Sequence, residues 1–412
     1  MDKSINRFLK IFPWQYGLTG DLLFYIAIDT LFLTMVKNFS PAEIVSITSL
    51  SQLVCIALQF PVLFTMRRIG NTASVRVGSF LLLLSAIAIT FGKSYYIVLI
   101  GRILHDVAAI YKSASVVALE NNLDLVDRKA DFVRYRTSAN TVYAVITLLI
   151  SFVASYMFNL NNYLPMIGCI TTCAAGFVLS LLMKDSSGYN RVVHKKKADR
   201  GENVGFRNSK IIVIGVLLYS LFYSIVTNGQ NEGKLFIQQN VLLDFNAEDT
   251  ALIIGAIICF SRLIRVISNV AFERLYKKYI DKMGVVLPSL LATAIALLMF
   301  GSFIPLTVLK IVVMGLGYTV ILFIRDPFKL YMQDVIFSNT EKEQHQTMLT
   351  LLEFGVKIAT SGIGLVFSAI LLSFPMLVII AMMLLIAIVE ILLSIVLYRS
   401  IVNRKGNAEI GA

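Results

Sequence analysis

Residues 375–398 read PMLVIIAMMLLIAIVEILLSIVLY, a run of 24 residues in which Glu390 is the only charged side chain. About 20 consecutive apolar residues are enough for an α-helix to cross the hydrocarbon core of a bilayer. The length and composition of this run therefore predict a transmembrane helix.

Similar apolar runs recur along the whole chain. Hydrophobic residues make up 57% of its 412 residues and charged residues 15%, whereas soluble domains carry about 25% charged residues. This composition excludes a soluble enzyme, a coiled coil, a disordered chain and a disulfide scaffold. We predict an all-α membrane protein with twelve spans, numbered 1 to 12: 14–36, 42–65, 73–92, 95–118, 138–158, 163–183, 211–230, 249–272, 285–303, 306–327, 346–372 and 375–398.

The basic residues between these spans predict the orientation of the chain. With the N-terminus in the cytoplasm, 27 lysines and arginines fall on the cytoplasmic side, and Lys37, Lys93 and Lys234 fall outside. Short cytoplasmic loops carry an excess of Lys and Arg. We therefore expect both termini in the cytoplasm, a location in the cytoplasmic membrane, and no nucleic-acid partner despite the net charge of +12.

One long polar stretch divides the chain into two groups of six spans. We expect an N-terminal six-helix bundle at 1–183, a basic cytoplasmic linker at 184–210 and a C-terminal six-helix bundle at 211–412. The halves also resemble each other: SPAEIVSITSL (40–50) opens span 2 and NAEDTALIIGA (246–256) opens span 8. Six plus six spans with matching starts are typical of a parallel internal repeat.

Two short motifs, together with this topology, resemble the major facilitator superfamily over essentially the whole chain. After span 2, that family has an acidic residue, Arg, any residue, Gly and a basic residue; here Arg68 and Gly70 match, while Arg67 and Asn71 replace the acid and the second base. In span 4 the family's Gly-Arg pair matches residues 101–102, with Asp106 where a glycine commonly stands.

The resemblance implies a transporter whose spans 1, 4, 7 and 10 line a central cavity. Drug/proton antiporters of that family usually carry a Gly/Pro-rich signature in span 5. Residues 137–158, TSANTVYAVITLLISFVASYMF, contain neither Gly nor Pro, which makes drug efflux the second choice.

Charged residues inside apolar spans are energetically costly and therefore indicate functional sites. Span 1 carries Asp21 and Asp29, which share one helix face with Tyr25. Apolar surroundings favour the neutral form of a carboxyl group, so either aspartate is a candidate for proton coupling. The alternative is a structural carboxylate that caps or pairs with a neighbouring helix.

Span 4 carries a polar stripe formed by Arg102, His105, Asp106 and Lys112. Arg102 and Asp106 are one helical turn apart and can form an ion pair. Such a stripe must face a cavity or the charges of another helix. Histidine changes its protonation state near neutral pH, which suits a proton relay, and a hydrogen-bonded packing histidine is the alternative.

Span 8 carries Arg262 and Arg265, which need acidic partners or an anionic ligand inside the membrane. We expect Glu353 in span 11, or another buried acid, to neutralise them. Lys357 lies one helical turn after Glu353 and continues the same stripe.

Two further groups are predicted near the ends of spans. Span 10 is expected to end at the proline that follows Arg325 and Asp326. These two charged residues would form a gate or an interface pair at the cytoplasmic face. Span 7 is expected to end in a polar, glycine-containing outer mouth that includes Asn228, Gln230 and Glu232.

These residues predict a monomeric secondary active transporter embedded in the lipid bilayer. It would move a small polar, zwitterionic or anionic solute by alternating access, with proton coupling, and it would need no metal or cofactor. Catalytic motifs and a phosphate-binding loop are missing from the sequence, so we expect no enzyme activity. An intramembrane transferase that uses His105 with Asp106 is the alternative from another class.

The predicted orientation is testable by cysteine labelling in whole cells, in a variant that lacks the four native cysteines. An impermeant maleimide should react with outer positions and should reach inner positions only after the membrane is opened, and reversed labelling would contradict the topology. The outer positions are Lys37→Cys, Lys93→Cys and Leu160→Cys; the inner positions are Arg68→Cys, Lys196→Cys and Lys278→Cys.

Overall fold

A computed structural model describes residues 3–128, 131–183, 209–340 and 345–410. The predicted linker at 184–210 lies almost entirely outside these ranges. The described residues form an all-α structure, in agreement with the predicted fold class.

Thirteen α-helices and one π-helical segment, Phe32–Val36, account for the described secondary structure. The helices are α1 (Lys3–Leu18), α2 (Tyr25–Leu31), α3 (Pro41–Ile69), α4 (Asn71–Phe91), α5 (Tyr95–Lys112), α6 (Ala114–Asp124), α7 (Phe132–Leu160), α8 (Leu164–Leu182), α9 (Ser209–Leu242), α10 (Ala247–Gly301), α11 (Thr307–Phe337), α12 (His345–Leu371) and α13 (Met376–Ile410).

Within the described ranges, nine helical stretches are long and apolar enough to cross a membrane. They are Pro41–Ile69, Asn71–Phe91, Arg134–Leu160, Leu164–Leu182, Ile211–Leu242, Lys282–Gly301, Thr307–Phe337, Leu351–Leu371 and Met376–Val402. They correspond to nine of the predicted spans. Spans 1, 4 and 8 are not among them, because their helices are short or carry several charges.

Span 1 is not the continuous helix that we predicted. Helix α1 ends at Leu18 and α2 begins at Tyr25, and residues 19–24 have no regular helix. A polar side chain competes here for a backbone donor: Asp21 Oδ1 accepts from the Leu22 amide at 2.8 Å. Such local bonds offer the backbone an alternative to the helix.

Three other predicted boundaries are wrong. Span 4 divides at Ser113 into α5 and α6, and span 7 continues as α9 to Leu242. Gly233 within α9 permits close packing of a neighbouring helix, since a Cβ there would lie 3.3 Å from Leu298 Cδ1. Span 10 also continues as α11, through Pro327 to Phe337. Buried helices tolerate proline when neighbouring groups satisfy the freed backbone.

Spans 8 and 9 lie in one helix, α10, of 55 residues. We predicted a turn at 273–284, but this segment, ERLYKKYIDKMG, has no helix-breaking residue before its final glycine. Lys, Arg, Glu and Leu all favour helix, so charge alone does not end the helix here.

The chain divides into two compact units. One contains Met1–Phe39 and Leu50–Glu202, and the other contains Ser40–Ser49 and Asn203–Ala412. The start of α3 groups with the second unit, where Ser368 Oγ donates to the Ala42 carbonyl at 2.9 Å. The assignment of 1–183 and 211–412 to two six-helix bundles stays a prediction.

Within the second unit, Gly317 lets α11 approach α10 closely. A Cβ at this position would lie 2.6 Å from the Ala294 carbonyl oxygen and 3.1 Å from the Leu298 amide nitrogen. Small residues permit such backbone approach between membrane helices. Two residues earlier, a Cβ on Gly315 would meet Ile257 Cγ1 at 3.4 Å, which is ordinary van der Waals contact.

Gly317→Ala should therefore lower the free energy of unfolding by about 1–3 kcal/mol, since the added methyl group overpacks the contact between the two helices. Gly315→Ala is the matched control and should melt near the parent. Thermal unfolding of the purified protein in detergent measures both. Equal melting temperatures for the two variants would contradict this account of the contact.

Candidate functional site

A polar cleft lies within the first unit, between the end of α1, α4 and α5. Its open space, including solvent at its mouth, is about 320 Å³. We call it the α1–α4–α5 cleft. Its lining residues are Gln15, Thr19, Gly20, Asp21, Val75, Gly78, Ser79, Leu82, His105, Ala108, Ala109 and Lys112.

His105 lies between two carboxylates in this cleft. Its Nε2 is 2.7 Å from Asp21 Oδ1, and its Nδ1 is 3.0 Å from Asp106 Oδ1. We call these three residues the Asp–His–Asp triad. The prediction that the polar stripe of span 4 meets the acids of span 1 is thus correct for Asp21.

Asp106 has two further neighbours. Ser51 Oγ donates to Asp106 Oδ2 at 2.7 Å, and Arg102 Nε is 3.8 Å from Asp106 Oδ1. The predicted Arg102–Asp106 ion pair is therefore present. These contacts hold the Asp106 carboxylate from two sides and leave Asp21 as the acid that lines the cleft.

The cleft also carries uncharged polar groups. Gln15 Nε2 donates to Thr19 Oγ1 and to Ser79 Oγ, both at 3.2 Å. Gln15 Oε1 is buried and has no hydrogen-bond donor within the part of the chain that the structure describes. A solute that carries a hydroxyl or an N–H group can donate to this oxygen.

Lys112, the last residue of α5, completes the cleft. Its ammonium nitrogen lies 4.2 Å from the ring centroid of Tyr16 and 5.9 Å from that of Tyr143. Both distances suit a cation–π interaction.

The remaining residues predicted in spans 1 and 4 lie outside the cleft lining. Tyr25 is buried in α2. Asp29 Oδ1 accepts from the Thr30 amide at 2.7 Å. Because residues 19–24 interrupt span 1, the expectation that Asp21, Tyr25 and Asp29 share one helix face is wrong.

A second polar group lies in the second unit, on α9, α10 and α11. Arg265 forms a two-pronged ion pair with Asp326, with distances of 2.7 and 3.0 Å. We expected Glu353 or another acid to neutralise Arg265, and the acid is Asp326; the residue Glu353 itself is exposed. Asp326 lies in α11, one residue before the proline that was expected to end the helix.

The predicted outer mouth and inner gate meet in the structure. Arg325 Nη1 donates to Gln230 Oε1 at 3.1 Å, and Tyr223 Oη donates to the Arg325 carbonyl at 2.8 Å. Two hydrogen-bonded side chains cannot lie at opposite ends of the membrane. The assignment of Gln230 to an outer mouth and Arg325 to an inner gate is therefore wrong for at least one of them.

The other predicted residues of this half are placed separately. Asn228 and Glu232 are buried in the continuous helix α9, 3% exposed each. Among the described residues, Asn228 Nδ2 and Glu232 Oε2 have no hydrogen-bond partner. Arg262 and Lys357 are both half-buried.

The sequence did not identify Gln15 or Ser51 as site residues. Gln15 and Thr19 are four residues apart, a spacing that places them on one helix face and could have been recognised. Ser51 gives no such signal, since it is one of several serines in SITSLSQ (46–52). Its role depends on the packing of α3 against α5.

The model of the Major Facilitator Superfamily matches residues 18–335 of the chain, which is more than half of it. The chain belongs to the major facilitator superfamily. The resemblance inferred from the two degenerate motifs is thereby confirmed, and this superfamily member is a multi-pass membrane transporter rather than an enzyme. No curated protein matches its sequence significantly.

Solved structures of transporters share the fold of this superfamily member. The crystal structure of the nucleoside transporter NupG is similar with a TM-score of 0.78 and 11% identity, over 96% of this chain and 99% of that one. The structure of a bacterial homologue of the iron transporter ferroportin matches with a TM-score of 0.69 and 11% identity, over 97% of this chain and 100% of that chain. A bacterial homologue of the human lysosomal transporter Spinster gives 0.68 and 10%, over 98% of each chain. These low identities show the fold alone.

The Arg265–Asp326 ion pair should stabilise the second unit of the transporter. Arg265→Ala or Asp326→Ala removes one member of the ion pair and should lower the free energy of unfolding by about 1–2 kcal/mol. The loss should be smaller than for a fully buried pair, because the two side chains are 36% and 25% exposed. Removing both residues should cost less than the sum of the single changes. Thermal unfolding in detergent measures this cycle, and strictly additive effects would contradict the pairing.

Proposed function

We propose that this transporter is a secondary active transporter that moves a small polar, zwitterionic or anionic solute by alternating access and couples the movement to protons. The Asp–His–Asp triad carries this proposal. It combines three titratable groups in direct contact inside a polar cleft.

The contacts of the triad support a role in proton binding. An ionised carboxylate only accepts hydrogen bonds, and a neutral imidazole donates from one nitrogen and accepts at the other. With both aspartates ionised and His105 neutral, one short contact would join two acceptors. The two distances of 2.7 and 3.0 Å therefore call for one additional proton, either on His105 or on one of the aspartates.

This additional proton is bound next to the space that a solute would occupy. Asp21 and His105 line the α1–α4–α5 cleft, and 31% of the Asp21 side chain is exposed. A solute that contacts Asp21 changes how strongly the triad holds its proton, and the proton in turn changes how strongly the solute binds. Reciprocal coupling of this kind is what a proton-coupled transporter needs.

The polarity of the cleft supports a polar or charged solute. Its lining combines an acid, a histidine, a lysine and an amide, whereas a lipophilic cation would favour an apolar cavity with acids alone. The names of the similar structures refer to nucleosides, iron and a complex with 5-aminolevulinic acid. This diversity favours none of these solutes for the present chain.

We further propose twelve spans in two six-helix bundles, cytoplasmic termini and a monomer in the cytoplasmic membrane. The excess of 27 basic residues over 3 supports the orientation. Helices α1 and α2 would together form span 1. An interrupted helix near the middle of the bilayer is typical of binding sites in secondary transporters.

Asp21→Asn should abolish accumulation of the solute against its gradient while sparing its exchange across the membrane. Asparagine resembles the protonated acid in shape but cannot release a proton. Asp29→Asn is the matched control on the same span and should retain accumulation, because Asp29 is not part of the triad.

The measurement uses proteoliposomes with an imposed pH gradient. A panel of labelled organic anions, amino acids and nucleosides first identifies a transported solute, and the variants are then compared for accumulation and exchange. If Asp21→Asn still accumulates the solute, or if Asp29→Asn alone loses accumulation, the triad does not carry the proton. Loss of exchange as well would instead assign Asp21 to solute binding or to folding.

A further inference from the structure

We propose that Lys112 and Arg136 form the subsite that binds the negatively charged group of the solute, and that the solute is a small organic anion with a carboxylate or a phosphate. The proposal rests on the transport function proposed above and specifies its substrate class. We call Lys112, Arg136 and the Tyr16 ring that both cations contact the Lys–Tyr–Arg subsite.

Three helices bring these side chains together. Lys112 lies at the end of α5 and lines the cleft, Tyr16 belongs to α1, and Arg136 belongs to α7. The Lys112 ammonium and the Arg136 guanidinium carbon lie 4.2 and 4.5 Å from the same Tyr16 ring centroid, so the two cations are within about 9 Å of each other.

No carboxylate forms an ion pair with either cation within the described ranges. Neither Lys112 nor Arg136 forms an ion pair there, and Arg136 Nη1 is buried without a hydrogen-bond acceptor. By contrast, Arg102 has Asp106, Arg265 has Asp326 and Lys310 has Asp244. Those three cations are in ion pairs with carboxylates, whereas Lys112 and Arg136 form none among the described residues. Asp21, the acid that lines the cleft with Lys112, is in contact with His105.

An anion is the ligand that such a subsite favours. Two like charges at this distance repel each other, and the repulsion is strong where little water screens it. A carboxylate or a phosphate between them replaces the repulsion with two attractive contacts and supplies the acceptor that Arg136 Nη1 lacks. Tyr16 orients both cations through its ring face.

The neighbouring residue extends the description of the solute. Gln15 precedes Tyr16 in α1, lines the cleft and has a buried acceptor, Oε1, without a donor among the described residues. A solute can place its anionic group at the Lys–Tyr–Arg subsite and a hydroxyl or amino group toward Gln15. It then neutralises the two cations and donates a hydrogen bond to Gln15 Oε1. The inferred substrate class is therefore a small organic anion that also carries a hydrogen-bond donor.

The test is anion-dependent thermal stabilisation of the purified full-length protein in dodecyl maltoside at constant ionic strength. The probes are sodium gluconate, sodium succinate and sodium phosphate, with sodium chloride as reference and glucose as the uncharged counterpart of gluconate. At least one anion should raise the melting temperature while glucose should not, since a ligand that binds the folded state stabilises it.

Variants assign this stabilisation to the subsite. Lys112→Met and Arg136→Gln should each weaken the apparent affinity for the anion about tenfold or more, and in chloride they should melt no lower than the parent because each removes a repulsion. Lys93→Met and Arg67→Gln remove exposed charges and should leave the anion response unchanged.

Several results would overturn the proposal. They are a lack of stabilisation by all three anions, equal stabilisation of Lys112→Met and the parent, and melting of both site variants well below the parent in chloride. Stabilisation by added dioleoyl phosphatidylglycerol alone would assign the subsite to a lipid headgroup instead of a solute. None of these measurements uses a proton gradient, so a failure of proton coupling leaves the result interpretable.

Discussion

A neutral imidazole has one proton for its two nitrogens, and His105 meets a carboxylate with each of them. This mismatch is the constraint on which the account of the site depends. It means that the Asp–His–Asp triad is completed only by a further proton, whichever of its members holds that proton. The contacts from Ser51 and Arg102 to Asp106 hold one end of the triad, and Asp21 is the acid at the end that lines the cleft.

The interruption of span 1 is what brings Asp21 to His105. In hydrocarbon, backbone N–H and C=O groups must find partners inside the protein, so irregular backbone occurs only where it is buried or lines a cavity. Residues 19–24 meet this requirement partly through their own side chains, since Asp21 Oδ1 accepts from the Leu22 amide and also lies 2.7 Å from His105 Nε2. The same oxygen therefore caps the broken backbone and joins the triad, which links the local fold to the proposed chemistry.

Local features of this protein could be predicted from its sequence, and features formed by distant residues could not. The apolar runs predicted most helices, and the ion pair within α5 followed from a spacing of four residues in one helix. Asp326 as the partner of Arg265 and Gln230 as the partner of Arg325 join residues 61 and 95 positions apart. Hydropathy does not encode which helices pack together. Hydropathy and the polar segment predicted that span 7 ends near residue 230, and the proline predicted the end of span 10. In the structure α9 continues through the polar segment and α11 through the proline, supported by tertiary contacts.

The proton flow that accompanies downhill solute movement tests the central claim most directly. A pH-sensitive dye trapped inside proteoliposomes reports that flow when a solute gradient is applied without an imposed pH gradient. The account predicts an internal pH change in step with solute entry for the parent chain, and solute entry without a pH change for His105→Gln. Solute entry without any pH change in the parent chain would contradict the claim that the triad couples transport to protons.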